Sequence, residues 1–292
     1  MNPGPESAVA ARLRAGALLL IMVVAVAGAA TGLLDHAGSA YAETALKRAL
    51  IAFGLARTVN GVISVAQGTE VSIEPAGIGV TLAPGEILDP INDLIERFSW
   101  VVLAAATSLG VQRVLLEVAT WLPLTIALAT ALAGAVLCAL RPALSGTRVA
   151  RVVYASAALL FVLRFAAPLM AIAAGGLYGA FLEPRYNAAS AGLETSSSTL
   201  RTINDSERAP DADAAADQSM LDRARRAYEA AGNALDVRRR IDALTNAAAR
   251  LTDQTIDLIV VFTIETLLLP LLFLWVLLAV VRRVLAAAFA AR

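Results

Sequence analysis

Four stretches of this chain, 15–34, 121–140, 152–178 and 256–281, are apolar over a length that a soluble fold rarely needs. Crossing a hydrocarbon layer about 30 Å thick takes about 20 helical residues, and each stretch supplies that or nearly so. Composition agrees, because 58% of the 292 residues are hydrophobic and only 16% are charged, a balance far from that of ordinary globular domains. The expected fold class is therefore mainly α: a polytopic helical membrane protein with four transmembrane helices.

Charge orients the chain. Arg12 and Arg14 precede the first run, Arg141, Arg148 and Arg151 lie between the second and third, and Arg282, Arg283 and Arg292 follow the fourth, against one acid, Glu6. By the excess of Lys and Arg on cytoplasmic loops, all of these flanks lie inside. The organisation that follows is a cytoplasmic N-terminus 1–14, a first span 15–34, an exported segment 35–120 and a second span 121–140. A cytoplasmic loop 141–151, a third span 152–182, an exported segment 183–255, a fourth span 256–281 and a cytoplasmic tail 282–292 complete it. This is the topology of a multi-pass protein of the bacterial inner membrane with both termini in the cytoplasm.

The first run is also readable as a signal peptide, since Ser39-Ala-Tyr-Ala42 has the small-x-small form of a cleavage site. The length of the run and the stretch between it and Ala42 favour a retained anchor. The uncharged run 98–111 is short for a span, and a crossing there would carry the arginine-rich loop 141–151 outside; it reads as an interfacial or partly inserted helix.

Two exported segments of different character result. In the first, residues 40–67 favour a helix with Leu46, Leu50 and Phe53 on one stripe and Ile51, Leu55, Val59 and Val62 on another. Alternation at Val71 and Ile73, a turn at 75–77 and alternation at Ile78, Val80 and Leu82 predict a β-hairpin. Asp89 and Pro90 then open a helix whose apolar positions are Ile91, Leu94, Ile95, Phe98, Val102, Ala105 and Leu109. The second exported segment is polar and alanine-rich, a helical hairpin around the flexible link 204–217. Its basic clusters at 223–226 and 238–240 read as a solvated face paired with nearby acids, with an anionic partner or lipid head group as the sharper alternative.

The fourth span carries Glu265 and the third Arg164. A four-three alternation through Ile241, Leu244, Ala248, Leu251, Thr255, Leu258 and Phe262 continues onto Glu265, Leu269 and Leu272, as in a coiled coil. Glu265 is therefore expected on a packed face of a helix that runs from the exported segment into the membrane, with 185–203 as a candidate antiparallel partner. Small residues Gly28 and Gly32 on the first span, Ala127, Ala131 and Ala135 on the second, and Ala171, Gly175 and Gly179 on the third predict close helix packing, with Arg164 at the seam of the second and third spans. Charges at mid-depth cost roughly 2.5–3.5 kcal/mol on insertion scales and normally find partners, which makes Arg164 and Glu265 a candidate ion pair. Pro168 and Pro270, each a few residues after a charge, free the carbonyls of Arg164 and Thr266 and mark helix kinks. The residues leave two roles open for the pair: a lock for the bundle, or part of an ion or solute path.

Catalysis finds no support. Glycine-rich phosphate loops and nucleophile–base motifs are missing from the sequence, and the single histidine, His36, and single cysteine, Cys138, make neither a metal site nor a disulfide. A net charge of zero gives no reason to expect nucleic acid. The expectation is a non-enzymatic integral protein without cofactor, a scaffold or subunit of an envelope complex. It sits in the lipid bilayer and docks a protein partner or further copies of itself through 183–255. The alternative is a small oligomeric channel or transporter using Glu265 and Arg164.

Overall fold

A computed structural model describes residues 5–68, 71–73, 80–82, 84–141, 144, 147–205 and 220–290. The link 204–217 falls outside the described residues from Ser206 onward, as does the hairpin turn 75–77, and the side chains of the basic cluster 223–226 are also outside them.

Almost all of the described chain is helical. The helices are α1 (Pro5–Thr31), α2 (Leu33–Gln67), α3 (Asp89–Ala119), α4 (Leu122–Leu140), α5 (Arg148–Leu177), α6 (Glu183–Asp205), α7 (Met220–Thr263) and α8 (Leu269–Ala290). One 3₁₀ turn, Pro84–Leu88, precedes α3, and two π turns, Tyr178–Leu182 and Ile264–Leu268, precede α6 and α8. Between α2 and α3 a three-rung antiparallel ladder pairs Val71 with Leu82 and Ile73 with Val80. Among the described residues, five helical stretches are long and apolar enough to cross a membrane: Leu33–Gln67, Glu86–Ala119, Leu122–Leu140, Arg148–Asn204 and Ile241–Arg283; Leu19–Thr31 is a shorter apolar helix. Several long apolar helices of this kind are compatible with a multi-pass membrane protein.

The chain divides into two compact units. The first comprises Met1–Lys47, Ala106–Ala180 and Ile264–Arg292. In it α1 packs on α4, α4 on α5 and α5 on α8. One apolar cluster joins Ala25 of α1, Leu128, Leu132 and Ala135 of α4, and Ala157 and Phe165 of α5, with Ala29 and Ala131 against its edge. The close α4–α5 hairpin expected from the alanine rows is present; a Cβ placed on Gly134 would stand 3.4 Å from Val153. Large apolar side chains cover the outside of this unit, among them Val24, Leu137, Leu159, Leu271 and Trp275, each more than two-fifths exposed. Water does not tolerate so extensive an apolar surface, whereas lipid or another apolar chain does.

The second unit comprises Arg48–Ala105 and Phe181–Thr263. Here α6 lies antiparallel to α7: Tyr186 meets Phe262 edge-to-face with ring centroids 6.1 Å apart, and Ser196 donates to Gln254 at 3.2 Å. The expected partner of α7 is therefore the observed one. Few large apolar residues are needed because Gly192 lets the Gln254 side chain into space that a Cβ would occupy. On α7, Leu244, Ala248, Leu251, Thr255, Leu258 and Phe262 are all buried, as the four-three alternation requires.

α2 departs from expectation. Its buried face is a stripe of small residues, Ala42, Ala45, Ala49, Ala52 and Ala56, continued by Val59, Ile63 and Ala66, while Leu50 and Ile51 are exposed. The spacing alternates three and four, and alanines at such positions let a neighbouring backbone approach closely. Counting only large apolar residues misses this face. In α3, by contrast, Ile91, Ile95, Phe98, Val102, Ala105 and Leu109 are buried as expected, although 98–111 is part of one 31-residue helix and not a separate element.

Candidate functional site

Arg164 lies 13 residues beyond Arg151 on α5, about 20 Å along the helix at 1.5 Å per residue. Thr147 fixes the start of α5, its hydroxyl accepting from the Ala150 amide at 3.1 Å. Arg164 is 1% exposed. Its guanidinium grips Asp35 with both terminal nitrogens, Nη1 to Oδ1 at 2.8 Å and Nη2 to Oδ2 at 2.5 Å, and Nε donates to the Thr125 hydroxyl of α4 at 3.2 Å. A planar fork on a carboxylate is the geometry that arginine satisfies and lysine does not.

Asp35 owes its position to Gly32. At φ +62° Gly32 adopts the left-handed conformation that ends α1, and α2 begins one residue later. Asp35 thus falls in the first turn of α2, where the helix dipole and free amides favour a carboxylate. Asp35 balances the charge of Arg164, and α2 in turn stabilises Asp35.

Glu265 is 2% exposed and sits inside the π turn Ile264–Leu268. The Tyr41 hydroxyl donates to its Oε1 at 2.7 Å. Tyr41 is six residues after Asp35 on α2, so two neighbouring turns of one helix hold both buried charges. Close contacts with α5 set this helix in place: a Cβ on Gly38 would lie 3.3 Å from the Cα of Pro168, and one on Gly175 would lie 3.0 Å from the Tyr41 ring. Pro270 cannot donate to the Thr266 carbonyl, and the Ser108 hydroxyl of α3 supplies the missing bond at 3.2 Å. Beside Glu265 a crevice of about 170 Å³ opens, with Gln112 as its second polar group and Met170, Ala174, Pro270 and Phe273 among its apolar walls.

The expected pairing of Arg164 with Glu265 is replaced by two separate partnerships, Arg164 with Asp35 and Glu265 with Tyr41. Arg164 does stand at the α4–α5 seam, through Thr125. Among the small residues, Ala135 is buried, Ala127 and Ala131 are partly buried, Ala171 packs with Ala42 and Leu116, and Gly175 receives Tyr41. Three glycines serve otherwise. Gly28 has nothing within 4 Å of a would-be Cβ, Gly32 is a backbone break, and Gly179 is exposed in the first π turn. Asp35, Gly38, Tyr41, Ser108 and Thr125 were not singled out in the sequence, though Gly38 and Ala42 carry the small-xxx-small spacing that close helix contacts use.

Among the described residues no group of three or more His, Cys, Asp or Glu is placed to hold a metal ion. No family model, curated protein or solved structure matches this chain.

Proposed function

We propose that the chain is a non-enzymatic integral protein of the bacterial inner membrane, a scaffold or subunit of an envelope complex. In this reading 15–34, 121–140, 152–182 and 256–281 cross the bilayer, both termini are cytoplasmic, and the second unit is exported with its β-hairpin. The observation that carries it is how the buried charges are used: Arg164 and Glu265 are each committed to a side chain of α2 and join the helices of the first unit to one another. A further support is the division of the chain. The second unit, Arg48–Ala105 and Phe181–Thr263, falls almost wholly within the two segments whose flanking charges call for export. The exported helices α6 and α7 then provide the docking surface for a protein partner or another copy.

The antiparallel register brings Asp205 level with the first turns after Ile241, because Ser196 lies against Gln254. Deleting 206–240 therefore leaves the packed α6–α7 contact in place. The expected result is a protein that still inserts and is stable but migrates on native gels in mild detergent at monomer mass, where the full chain migrates as a larger assembly. Equal masses for the two would sink the docking role of this segment. Cysteines introduced at exposed Glu194 and Thr245 in a Cys138→Ser background are expected to react with an impermeant maleimide from the outside; protection of both would refute the topology.

The crevice beside Glu265 supports one second reading, a small channel or transporter in which Glu265 contacts the solute. Flux into proteoliposomes that falls on Glu265→Gln supports it, and flux at the full rate removes the assignment.

A further inference from the structure

In the second unit a cavity of about 370 Å³ lies between α2 and α6, with Arg57, Thr58 and Gly61 on one side and Arg201 and Asn204 on the other. Both arginines are exposed, and among the described residues no acidic one lines the cavity. Elsewhere Lys47, Arg113 and Arg185 each reach a carboxylate, of Glu43, Glu117 and Asp257 respectively; among the described residues neither Arg57 nor Arg201 does. The Arg57 guanidinium lies 5.2 Å from the centre of the Phe53 ring. Stacking of this kind steadies the cation by its face and leaves the N–H edges free to donate. Asn204, 7% exposed, is anchored by its amide to the Val62 carbonyl at 3.3 Å, which fixes that wall. Nothing lies within 4 Å of a Cβ on Gly61, so the floor is open.

Two guanidiniums carried by different helices onto one cavity, with no carboxylate among its described lining residues, make a site of positive potential that an anion would satisfy. We infer that this cavity binds the phosphoryl group of a phosphate-bearing ligand through Arg57 and Arg201. Phosphate suits the arrangement better than a carboxylate because its tetrahedral oxygens offer edges to two forks at once, whereas a planar carboxylate offers one bidentate edge. The cavity has room beyond the phosphoryl group, so the ligand is a lipid head group or a soluble phosphate ester. This inference does not depend on the docking role.

The test uses the full chain. In one arm, inorganic phosphate is titrated by calorimetry into detergent-solubilised protein at constant ionic strength. In the other, retention of phosphatidylglycerol over phosphatidylcholine is read by native mass spectrometry of protein released from mixed nanodiscs. Saturable binding in the first arm alone identifies a soluble ester, and selective retention in the second identifies a head group; either supports the site. Arg57→Ala or Arg201→Ala is expected to weaken binding at least tenfold. Arg57→Lys, which keeps charge but not the fork, weakens it several-fold, while Arg250→Ala, an exposed arginine of α7 outside the cavity, leaves it unchanged. The sequence places Asp205 four residues after Arg201, so Asp205→Asn is expected to tighten binding or leave it the same. No binding in either arm, or an equal loss with Arg250→Ala, overturns the inference.

Discussion

Removing Asp35 isolates a charge that the rest of the first unit cannot neutralise through the same contacts. Asp35→Ala deletes both bonds to the Arg164 terminal nitrogens and leaves a guanidinium that is 1% exposed with the Thr125 hydroxyl on Nε. Breaking a buried ion pair from one side typically costs about 3–5 kcal/mol. The Asp35 side chain is 17% exposed, so water reaches that end of the pair, and the lower figure of about 3 kcal/mol applies. The converse variant, Arg164→Met, leaves a carboxylate in the first turn of α2, where free amides and some water receive it; about 1–2 kcal/mol is expected. With both replaced, no charge is stranded, and the double variant should lose only about 1–2 kcal/mol, a coupling of roughly 3 kcal/mol between the sites. Equilibrium unfolding of detergent-solubilised protein by dodecyl sulfate measures all four corners of the cycle. A coupling below about 0.5 kcal/mol refutes the pair. The same cycle between Glu265→Gln and Arg164→Met is expected to be additive within about 0.5 kcal/mol. If instead it shows the larger coupling, the charges belong to each other and the assignment to Asp35 is wrong.

Three further outcomes follow from the same geometry. Tyr41→Phe removes the donor to Glu265 Oε1 and should lower unfolding stability by about 1–3 kcal/mol, and by less in a Glu265→Leu background, where the carboxylate is gone. Gly175→Ala, whose Cβ would stand 3.0 Å from the Tyr41 ring, should destabilise, whereas Gly28→Ala, with nothing within 4 Å, should be neutral or gain up to about 1 kcal/mol from helix propensity; thermal midpoints order the two variants. Residues 39–42 lie inside α2 with Ala42 2% exposed, so intact mass of protein from native membranes should show residues 1–42 retained, and a species starting at Glu43 contradicts the assigned packing.

Helices, their order and the faces of α3 and α7 could be read from the sequence, because apolar periodicity there reports burial directly. Phe98, Val102 and Leu109 repeat at helical spacing and are buried. Less legible was α2, whose buried stripe is alanine, a residue that counts for little in a search for large apolar side chains. The α4–α5 seam was legible for the opposite reason: Ala131, Ala135 and Ala157 stand out among leucines and valines. The partner of Arg164 lies outside the apolar runs. Asp35 lies just past the apolar run, on the flank that charge counting assigns to solvent, and only the break at Gly32 folds the start of α2 onto α5.

Glu265 shows where counting by helical repeat stops being valid. From Leu244 to Phe262 the four-three alternation matches burial position by position, and Glu265 is the next step. Beyond it the same count lands on Leu269, which is only partly buried, and Leu272, which is 57% exposed. The π turn Ile264–Leu268 accounts for this, because a π turn accommodates an additional residue and rotates everything after it by about one α-helical step of 100°. A helix breaks regularity at such a cost only where something holds the break. Here Pro270 denies one backbone bond, Ser108 replaces it, and Tyr41 takes the carboxylate. The apolar side of α8 is thereby turned outward over Leu271, Leu274, Trp275 and Leu278. A uniform α-helix through Pro270 would have kept Leu269 and Leu272 on the packed face. Glu265, the least lipid-like residue of its run, thus sits at the turn that allows the rest of that run to face lipid.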